Sequence, residues 1–261
     1  MSGRLDGRRV LVTGGGSGIG RASAVCAAKE GAAVVVTDVR PALAAETAAT
    51  IEADGGRASA VTCDVADEAS VATATADAID VLGGLDGVVA AAGIATGGRT
   101  HDLTLEDWDL VLRVNLTGVF LTLKHALPAL VASGASSVVT IGSVSSLVIG
   151  AGGSAASYKA AKGGVLQLTK AVAVEYANDG VRANCVCPGA VATNLGRHAR
   201  ELASVTTTAR GEPAPPIEMK APVPRAADAA EIGTVVAFLL SDDASFMTGS
   251  AVMVDGGYTA I

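Results

Sequence analysis

Two features of the sequence predict an α/β fold in which helices cover both faces of one parallel sheet. Short Val- and Ile-rich runs recur along the chain, and longer Ala-rich stretches with polar residues at helical spacing separate them. Continuous apolar runs are typical of strands that are buried on both faces, and the separations are long enough for crossover helices. The seven runs cover residues 10–13, 33–37, 58–63, 87–91, 137–142, 181–186 and 251–254. The predicted architecture is therefore doubly wound α/β with a seven-stranded parallel sheet.

Composition limits the size and the partners of this fold. The chain has 261 residues, of which 50% are hydrophobic and 17% charged, and it shows no repeat period. One domain over residues 1–261 is predicted, because compact α/β folds often exceed 200 residues undivided. The net charge of −7 has the wrong sign for a protein that neutralises phosphate backbones, so nucleic acid is not expected as a partner.

Cysteine usage points to a reducing compartment, and the lengths of the apolar runs bear on whether the chain has a membrane segment. The chain has four cysteines, Cys26, Cys63, Cys185 and Cys187, with one C-x-C pair and no second pair at metal-ligand spacing. We expect reduced packing residues and no metal site. The first strand begins too early to leave room for a signal peptide, and no uninterrupted apolar run has the length of a spanning helix. The expectation is a cytoplasmic protein without a membrane segment.

The first strand runs directly into a glycine-rich turn, Thr13-Gly14-Gly15-Gly16-Ser17-Gly18-Ile19-Gly20, which opens an Ala-rich helix. Glycines allow the backbone N–H groups and the helix N-terminus to approach a pyrophosphate, whose charge the helix dipole favours. The spacing is T-G-x-x-x-G-x-G rather than G-x-G-x-x-G. The context of strand, turn and helix still predicts dinucleotide binding by Gly14, Gly16, Ser17, Gly18, Ile19 and Gly20.

An acidic residue closes the second strand. Asp38 lies 18 residues beyond Gly20, a distance typical of the carboxylate that accepts hydrogen bonds from the adenosine ribose. A carboxylate there would repel a 2′-phosphate, and the turn itself carries no Arg or Lys. NAD(H) is therefore predicted in preference to NADP(H), although Arg40 follows two residues later. Asp38 could also, or instead, cap the helix that follows Pro41.

A tyrosine and a lysine are placed for proton transfer. Tyr158 and Lys162 are four residues apart at the start of an apparent helix, so they share one helix face. A free phenol has a pKa of about 10, too high for a base at neutral pH, and a nearby ammonium lowers it. The pair predicts a phenol that exchanges a proton with an alcohol or carbonyl oxygen during hydride transfer.

A long irregular stretch at about residues 194–224 contains five prolines, Pro213, Pro215, Pro216, Pro222 and Pro224. Connections of this length are usually lids or binding loops, and the alternative is a surface insertion without function. As a lid it would close over cofactor and substrate, be mobile when empty and present the apolar side chains of Leu195, Leu202, Val205, Ile217 and Met219. Such a set favours a substrate that is hydrophobic or mixed in polarity over a polyhydroxylated sugar.

Further motifs follow in a recognisable order. They are Asp64-Val65, Val114-Asn115-Leu116-Thr117-Gly118, Pro188-Gly189 with Thr193, Thr248-Gly249 and Val254-Asp255-Gly256-Gly257. Together with the glycine turn and the Tyr158/Lys162 pair, they resemble the short-chain dehydrogenase/reductase family over nearly the whole chain. The resemblance implies a Rossmann-type fold. It also implies that Asp64 lies beside adenine, that the segment Pro188-Gly189 to Thr193 covers nicotinamide, and that the cofactor contacts Val65, Ala92, Gly93 and Val191.

The resemblance implies roles for two more side chains. The serine that orients the substrate oxygen follows the fifth strand. Alignment from that strand selects Ser143, whereas counting back 13 residues from Tyr158 selects Ser145, and we prefer Ser143 because the strand fixes position. Asn115 would hold a water that relays protons from Lys162, which also binds the nicotinamide ribose. Alternatively, Asn115 only bends its helix through its side chain.

One segment departs from the family pattern. The usual Asn-Asn-Ala-Gly after the fourth strand is Ala90-Ala91-Ala92-Gly93 in this chain, so two amide side chains are missing. Gly93 still allows close approach of backbone to the cofactor. The substitution is expected to affect hydrogen bonds that stabilise the sheet more than catalysis.

These observations predict an NAD(H)-dependent oxidoreductase that interconverts a secondary alcohol and a ketone. Tyr158 would be the acid/base, Lys162 would lower its pKa, Ser143 would hold the reacting oxygen, and Asn115 would maintain the relay. One alternative is a 3-oxoacyl thioester (acyl-carrier-protein) reductase, a class that more often uses NADPH. Another is a non-catalytic NAD-binding regulator, a class that typically lacks part of this four-residue set.

The expected partners are a small alcohol or ketone and further copies of the same chain. The Ala-rich faces of the Asn115 and Tyr158 helices and the apolar C-terminus, residues 258–261, predict surfaces that pack against copies. The resemblance implies a homotetramer. The sequence does not name the substrate, because the segments expected to wall the pocket share no recognisable chemistry.

Overall fold

The computed structural model describes residues 3–96, 98–149, 155–193, 195 and 221–261. The strands in this part of the chain are β1 (Arg9–Thr13), β2 (Ala33–Asp38), β3 (Arg57–Thr62), β4 (Gly87–Ala90), β5 (Ser136–Ile141), β6 (Val181–Pro188) and β7 (Ala251–Val254). The α-helices are α1 (Gly18–Lys29), α2 (Pro41–Ala53), α3 (Glu68–Leu82), α4 (Leu105–Leu112), α5 (Gly118–Ser133), α6 (Ala156–Glu175) and α7 (Ala229–Leu240).

All seven strands pair in parallel in one sheet, in the order β3-β2-β1-β4-β5-β6-β7. The chain winds outward from β1 to β3, crosses back to β4 and winds outward again to β7. In this register Val12 pairs with Val36 of β2 and with Val89 of β4. The predicted doubly wound sheet is confirmed, and the reversal between β1 and β4 opens a crevice at their carboxyl ends.

The inner strands β1, β2, β4, β5 and β6 bury both faces, which explains their largely apolar sequences, whereas the edge strand β3 keeps Arg57, Ala60 and Thr62 exposed. Val10 and Val12 of β1 belong to a core packed by α1, α2 and α7, whereas Leu11 between them belongs to a core packed by α3, α5 and α6. Side chains alternate between faces along a strand, so each inner strand needs apolar residues at most positions. Close packing of α1 on α7 depends on Gly233, where a Cβ would stand 2.7 Å from the carbonyl oxygen of Ala22.

A continuous helical stretch, Leu105–Ser133, joins α4 to α5 through the π-helical turn Arg113–Thr117. In the described part of the chain, it is long and apolar enough to cross a membrane by length and composition. Val111, Leu123 and Leu130 of this stretch are fully or almost fully buried in the fold. The stretch therefore has the burial of a core helix that covers the sheet.

The sequence also predicts reduced cysteines, no metal site and a long loop at about residues 194–224. The four cysteines are free, and Cys185 and Cys187 pack side by side in the core beneath α6. Within the described residues, no group of three or more His, Cys, Asp or Glu side chains could hold a metal ion. Most of the predicted loop at about residues 194–224 lies outside the described residues, including Leu202, Val205, Ile217 and Met219.

Candidate active site

A cavity of about 480 Å³ lies at the carboxyl ends of the strands, in the crevice beside β1 and β4. Every predicted cofactor-binding residue except Gly16 lines it, and so do Ser143, Tyr158 and Lys162. Gly16 and Asn115 lie just behind its wall. The cavity forms because the carboxyl ends of parallel strands, and the loops that follow them, meet at one edge of the sheet.

The glycine turn brings the N-terminus of α1 to the cavity. Gly14 has a φ of +64° and lies so close to the β4 loop that a Cβ there would stand 2.5 Å from the Cα of Ala92. The side chain of Ser17, the N-cap residue of α1, makes no capping hydrogen bond. Ser17, Gly18, Ile19 and Gly20 line the cavity, and the N–H groups of this first helical turn have no side-chain cap, so an anion in the cavity could accept from them. This arrangement fits the pyrophosphate of a dinucleotide.

Asp38 is buried at the end of β2, and its carboxylate is held from two sides. Its Oδ2 accepts from the N–H of Gly16 at 3.2 Å, and its Oδ1 accepts from the backbone N–H of Arg40 at 3.0 Å. The Arg40 side chain also pairs with Oδ1, at 3.3 Å from Nε. Each carboxylate oxygen has two lone pairs, so Oδ1 is occupied by its two donors from Arg40, whereas Oδ2 keeps one lone pair for a ribose hydroxyl group. The N-cap of α2 is Arg40, so Asp38 is not itself the capping residue.

Asp64 and Thr193 also line the cavity. Asp64 follows β3, and its Oδ1 accepts from the N–H of Ala66 at 2.9 Å. Thr193 follows β6 and faces the glycine turn, because a Cβ at Gly18 would stand 3.4 Å from the Cγ2 of Thr193.

Asn115 supports the loop after β4 from behind. Its Oδ1 accepts from the N–H of Ile94 at 3.1 Å, and its Nδ2 donates to the carbonyls of Ile94 and Val111 at 2.9 Å each. The residue lies in the π-helical turn, whose i−5 bond runs from the N–H of Gly118 to the carbonyl of Arg113. The side chain therefore anchors the loop and also bonds within its own helix, as the helix-bending alternative required.

The alanines that replace the expected asparagines lie just upstream. Ala90 packs in the core beneath α5 and α6, Ala91 packs against the opposite core, and the N–H of Ala91 donates to the carbonyl of Thr13 at 3.2 Å. The segment thus keeps a backbone hydrogen bond between the β1 and β4 ends, with the side chain of Ala90 buried and that of Ala91 partly buried at the cavity.

Ser143 begins the short 3₁₀ turn Val144–Ser146 after β5. Its Oγ accepts from the N–H of Ser145 at 3.1 Å, and its hydroxyl is close enough to the phenol of Tyr158 to act to lower the pKa of that group. Ser143 lines the cavity, whereas Ser145 is not among the lining residues. The alignment from the strand therefore selects the serine that faces Tyr158.

Tyr158 and Lys162 project from the first turns of α6. The Nζ of Lys162 lies 5.6 Å from the centroid of the Tyr158 ring and donates to the carbonyl of Ile141 at 2.6 Å. Burial lowers the pKa of Lys162 to about 8, while the neighbouring thiols of Cys185 and Cys187 act to raise it.

The pKa of Tyr158 differs in direction from the sequence-based expectation. Among the protein's own groups, burial raises this pKa and the hydrogen bond with Ser143 lowers it, with burial the larger effect. The difference has a physical reason. The ring is partly buried in the cavity wall, where a phenolate is less well solvated than in water, and Lys162 donates to a backbone carbonyl rather than to the phenol oxygen.

Several lining residues were not predicted from the sequence. They are Val39, Arg40, Cys63, Ala66, Ala91, Ile94, Leu110, Val114, Ile141 and Gly142. Most of them stand within two residues of a predicted site residue, so the ends of the strands were the available signal. Leu110 is different, because only the packing of α4 against the loop after β4 brings it to the cavity.

Comparisons with known proteins agree with this geometry. A family model described as Enoyl-(Acyl carrier protein) reductase matches residues 14–259. The 2-(S)-hydroxypropyl-CoM dehydrogenase 3 of Xanthobacter autotrophicus is 40% identical over all of both chains. Cyclohexanol dehydrogenase of an Acinetobacter strain is 37% identical, covering 100% of this chain and 98% of that protein.

A solved structure extends the likeness to three dimensions. Carveol dehydrogenase from Mycobacterium avium, in complex with NAD, matches with a TM-score of 0.87 and 31% identity, over 99% of this chain and 100% of that one.

Proposed function

Because the chain belongs to the short-chain dehydrogenase/reductase family, we propose that it is an NAD(H)-dependent oxidoreductase that interconverts a secondary alcohol and a ketone. One observation carries this proposal. Ser143, Tyr158 and Lys162 line the same cavity as the N-terminus of α1 and the carboxylate of Asp38. A proton-transfer group thus lies within reach of a dinucleotide site. The proposed catalytic unit is one domain, residues 1–261, with the segment at about 194–224 closing over the substrate.

The residues of the cavity fit a nicotinamide dinucleotide. The N–H groups at the start of α1 would hold the pyrophosphate, Asp38 the adenosine ribose and Asp64 the adenine. When bound, the nicotinamide supplies the hydride acceptor or donor. Solved relatives hold NAD or NADP. The preference for NAD(H) is proposed from Asp38, whose buried negative charge would lie where NADP(H) carries a further phosphate.

Proton transfer would use Tyr158. During oxidation, the phenolate form takes the hydroxyl proton of the alcohol, and during reduction the phenol returns it to the carbonyl oxygen. The proposed role of Lys162, whose ammonium donates to the carbonyl of Ile141, is to favour the phenolate once cofactor and substrate are bound. Ser143 would donate to the substrate oxygen, since the N–H of Ser145 occupies only one acceptor position of its hydroxyl.

Asn115 would complete a proton path behind Lys162. A Cβ at Gly93 would stand 2.7 Å from the Oδ1 of Asn115 and 3.8 Å from the Nζ of Lys162, so the two atoms face one point in space. The glycine leaves that point free of side chain. Oδ1 has one lone pair beyond the bond from Ile94, which supports the proposal that it holds a relay water beside Lys162.

The proposed substrate is hydrophobic or mixed in polarity. Leu195 lines the cavity, and Leu147 and Ile149, which follow the Ser143 turn, are 53% and 71% exposed. Cyclohexanol and carveol appear in the names of two similar proteins and are both alcohols with a large apolar surface. The protein is further proposed to be cytoplasmic.

A homotetramer is proposed from the surface of α5 and α6. An apolar groove runs between these helices, lined by residues such as Phe120, Leu127, Pro128, Leu168 and Tyr176. Phe120 is 47% exposed, and Val174 on α6 is 80% exposed. Apolar exposure of this extent indicates a packing surface. Light scattering should give an oligomer at micromolar concentration, and a monomer would contradict the proposal.

The test of the proposed function is turnover with a panel of secondary alcohols. Purified protein is mixed with NAD+ or NADP+ and with cyclohexanol, 2-butanol or 2,3-butanediol, and the reduced cofactor is followed by absorbance. A parallel set measures reduction of 3-oxoacyl thioesters with NADH and NADPH. We expect turnover of one or more alcohols with NAD+. Activity confined to thioesters, or cofactor binding without any turnover, would contradict the proposal.

A further inference from the structure

A serine three residues after Ser143 connects the two elements that carry the proposed catalytic groups. The Oγ of Ser146 donates to the backbone carbonyl of Lys162 at 2.8 Å. The same oxygen accepts from the backbone N–H of Ser143 at 3.2 Å. One hydroxyl therefore bridges the turn after β5 and the second turn of α6.

The direction of this bridge is fixed by its partners. A hydroxyl has one proton and two lone pairs. The carbonyl of Lys162 can only accept, so the proton of Ser146 must point to it. The N–H of Ser143 can only donate, so a lone pair of Ser146 must face it. The hydroxyl is therefore committed in both directions and holds the two backbone segments together.

The surroundings leave the hydroxyl little room to turn away. A Cβ at Gly142 would stand 2.9 Å from the Oγ of Ser146 and 2.6 Å from the Sγ of Cys185. The glycine thus allows Ser146 to pack closely against the strand. Ser143 and Ser146 also form a reciprocal capping box over the turn, because the Oγ of Ser143 accepts from backbone within it. The same contacts that seat Ser146 therefore restrict the Ser143 side chain.

We propose that Ser146 is a positioning residue that holds Ser143 in register with Tyr158 and Lys162. The inference rests on the proposed function, since it assumes that these three residues carry the reaction. A misplacement of about 1 Å in a reacting group can lower the rate about 100-fold. Loss of the bridge should therefore lower kcat, and the cofactor contacts at Asp38 and α1 should not change.

The first experiment is Ser146→Ala, with the alcohol that the panel identifies. We expect kcat to fall about 10-fold or more, while the KM for NAD+ and the Kd for NADH stay within about twofold of wild type. The matched control is Ser137→Ala, at the other end of β5, whose Oγ donates to the carbonyl of Leu239, also at 2.8 Å. Both variants lose a hydrogen bond from a serine hydroxyl to a helix carbonyl, so the melting temperature of each should fall by about 2–4 °C. Only Ser146→Ala should have a lower kcat.

A second pair of variants does not depend on the folding of Ser146→Ala. Ser146→Thr and Ser146→Val have nearly the same shape and differ in the hydroxyl alone. We expect the Thr variant to have a kcat about 10-fold above that of the Val variant. Equal kcat values in this pair would overturn the inference, as would equal losses in Ser146→Ala and Ser137→Ala.

Parallel measurements on Ser143→Ala and Tyr158→Phe distinguish an error in the proposed site from an error in the role of Ser146 alone. If both retain wild-type turnover, the proposed roles of Ser143 and Tyr158 are wrong, and the role of Ser146 is wrong with them. A wild-type protein without turnover of any alcohol would instead overturn the proposed function. If both lose turnover and Ser146→Ala does not, the proposed function stands and only the inference about Ser146 is overturned.

Discussion

The two ends of the sheet both contain buried charges, but they hold them differently. At the amino end, Arg9 donates to the carboxylate of Asp86 from Nε and Nη2, at 2.7 Å each, and Ser133 donates to it at 2.7 Å. At the carboxyl end, the ammonium of Lys162 is buried against the carbonyl of Ile141. In the described part of the chain, no carboxylate lies within ion-pair distance of Lys162.

The pKa values follow from this difference. Burial alone would raise the pKa of Asp86, but hydrogen bonds from Arg9 and Ser133 outweigh it and the pKa is lowered. Burial also dominates at Lys162, and no comparable partner offsets it, so its pKa falls to about 8. Asp86 and Arg9 stabilise each other's charged form. Lys162 has one neutral hydrogen-bond partner, so a bound ligand can still shift its pKa. The charged pair at the amino end therefore contributes to stability, whereas the buried charge at the carboxyl end belongs to the proposed catalytic site.

The largest effect should come from Tyr158→Phe, which removes the proposed acid/base. We expect kcat to fall about 10³-fold while NADH binding, measured by calorimetry, stays near wild type. Tyr176→Phe, which loses a phenol oxygen on the α5/α6 groove, is the matched control and should keep its kcat. In wild type, the oxidation rate should rise with pH as the phenolate forms. Substantial turnover by Tyr158→Phe would remove this residue from its role.

The next largest effect concerns the buried charge of Lys162. The pKa of Lys162 is about 8 in the folded protein, and its ordinary value, expected in the unfolded chain, is 10.5. Between pH 8 and 10.5 the unfolded chain therefore binds more protons at this residue than the folded protein does. Stability should therefore rise with pH in this window. Relative to Lys162→Met, wild type should gain about 2–3 kcal/mol in the free energy of unfolding from pH 8 to pH 10. Urea unfolding at several pH values measures the gain, and a difference independent of pH would contradict the lowered pKa.

At the amino end, Asp86→Asn should affect stability and spare catalysis. It breaks the pair with Arg9 and should cost about 2 kcal/mol at neutral pH, with kcat unchanged. Because the pKa of Asp86 is lowered, the wild-type advantage should shrink as the pH falls below about 4. Asp54→Asn is the control, since Asp54 forms an exposed pair with Lys29 at 3.9 Å and should cost no more than about 0.5 kcal/mol. A fall in kcat for Asp86→Asn would mean that the two ends are coupled.

The smallest effect is on the choice of cofactor. Asp38→Ala should weaken NAD(H) and relatively improve NADP(H), shifting the ratio of kcat/KM values about 10-fold. Asp64→Ala, at the proposed adenine position, should weaken both cofactors alike. An unchanged ratio in Asp38→Ala would contradict the proposed role of this carboxylate.

Much of this molecule could be predicted from the sequence, because its main signals are local. A strand buried on both faces has apolar residues at successive positions, so Val10–Leu11–Val12 indicates a central strand without any knowledge of its neighbours. The glycine turn and Asp38 are also local, since their spacing reflects one strand-helix-strand unit. The residues predicted for one site stand at the carboxyl ends of successive strands, and a parallel sheet gathers those ends at one edge.

The sequence alone therefore determined the sheet, the family resemblance and most of the cavity wall, because strand burial, turn geometry and motif spacing depend on neighbouring residues. Only the tertiary structure decided how the site residues act on one another. The direction of the pKa shift of Tyr158 depends on what buries the ring, and the bridge from Ser146 to Lys162 spans 16 residues. Desolvation and hydrogen bonds across elements depend on distances in space, which spacing along the chain does not specify.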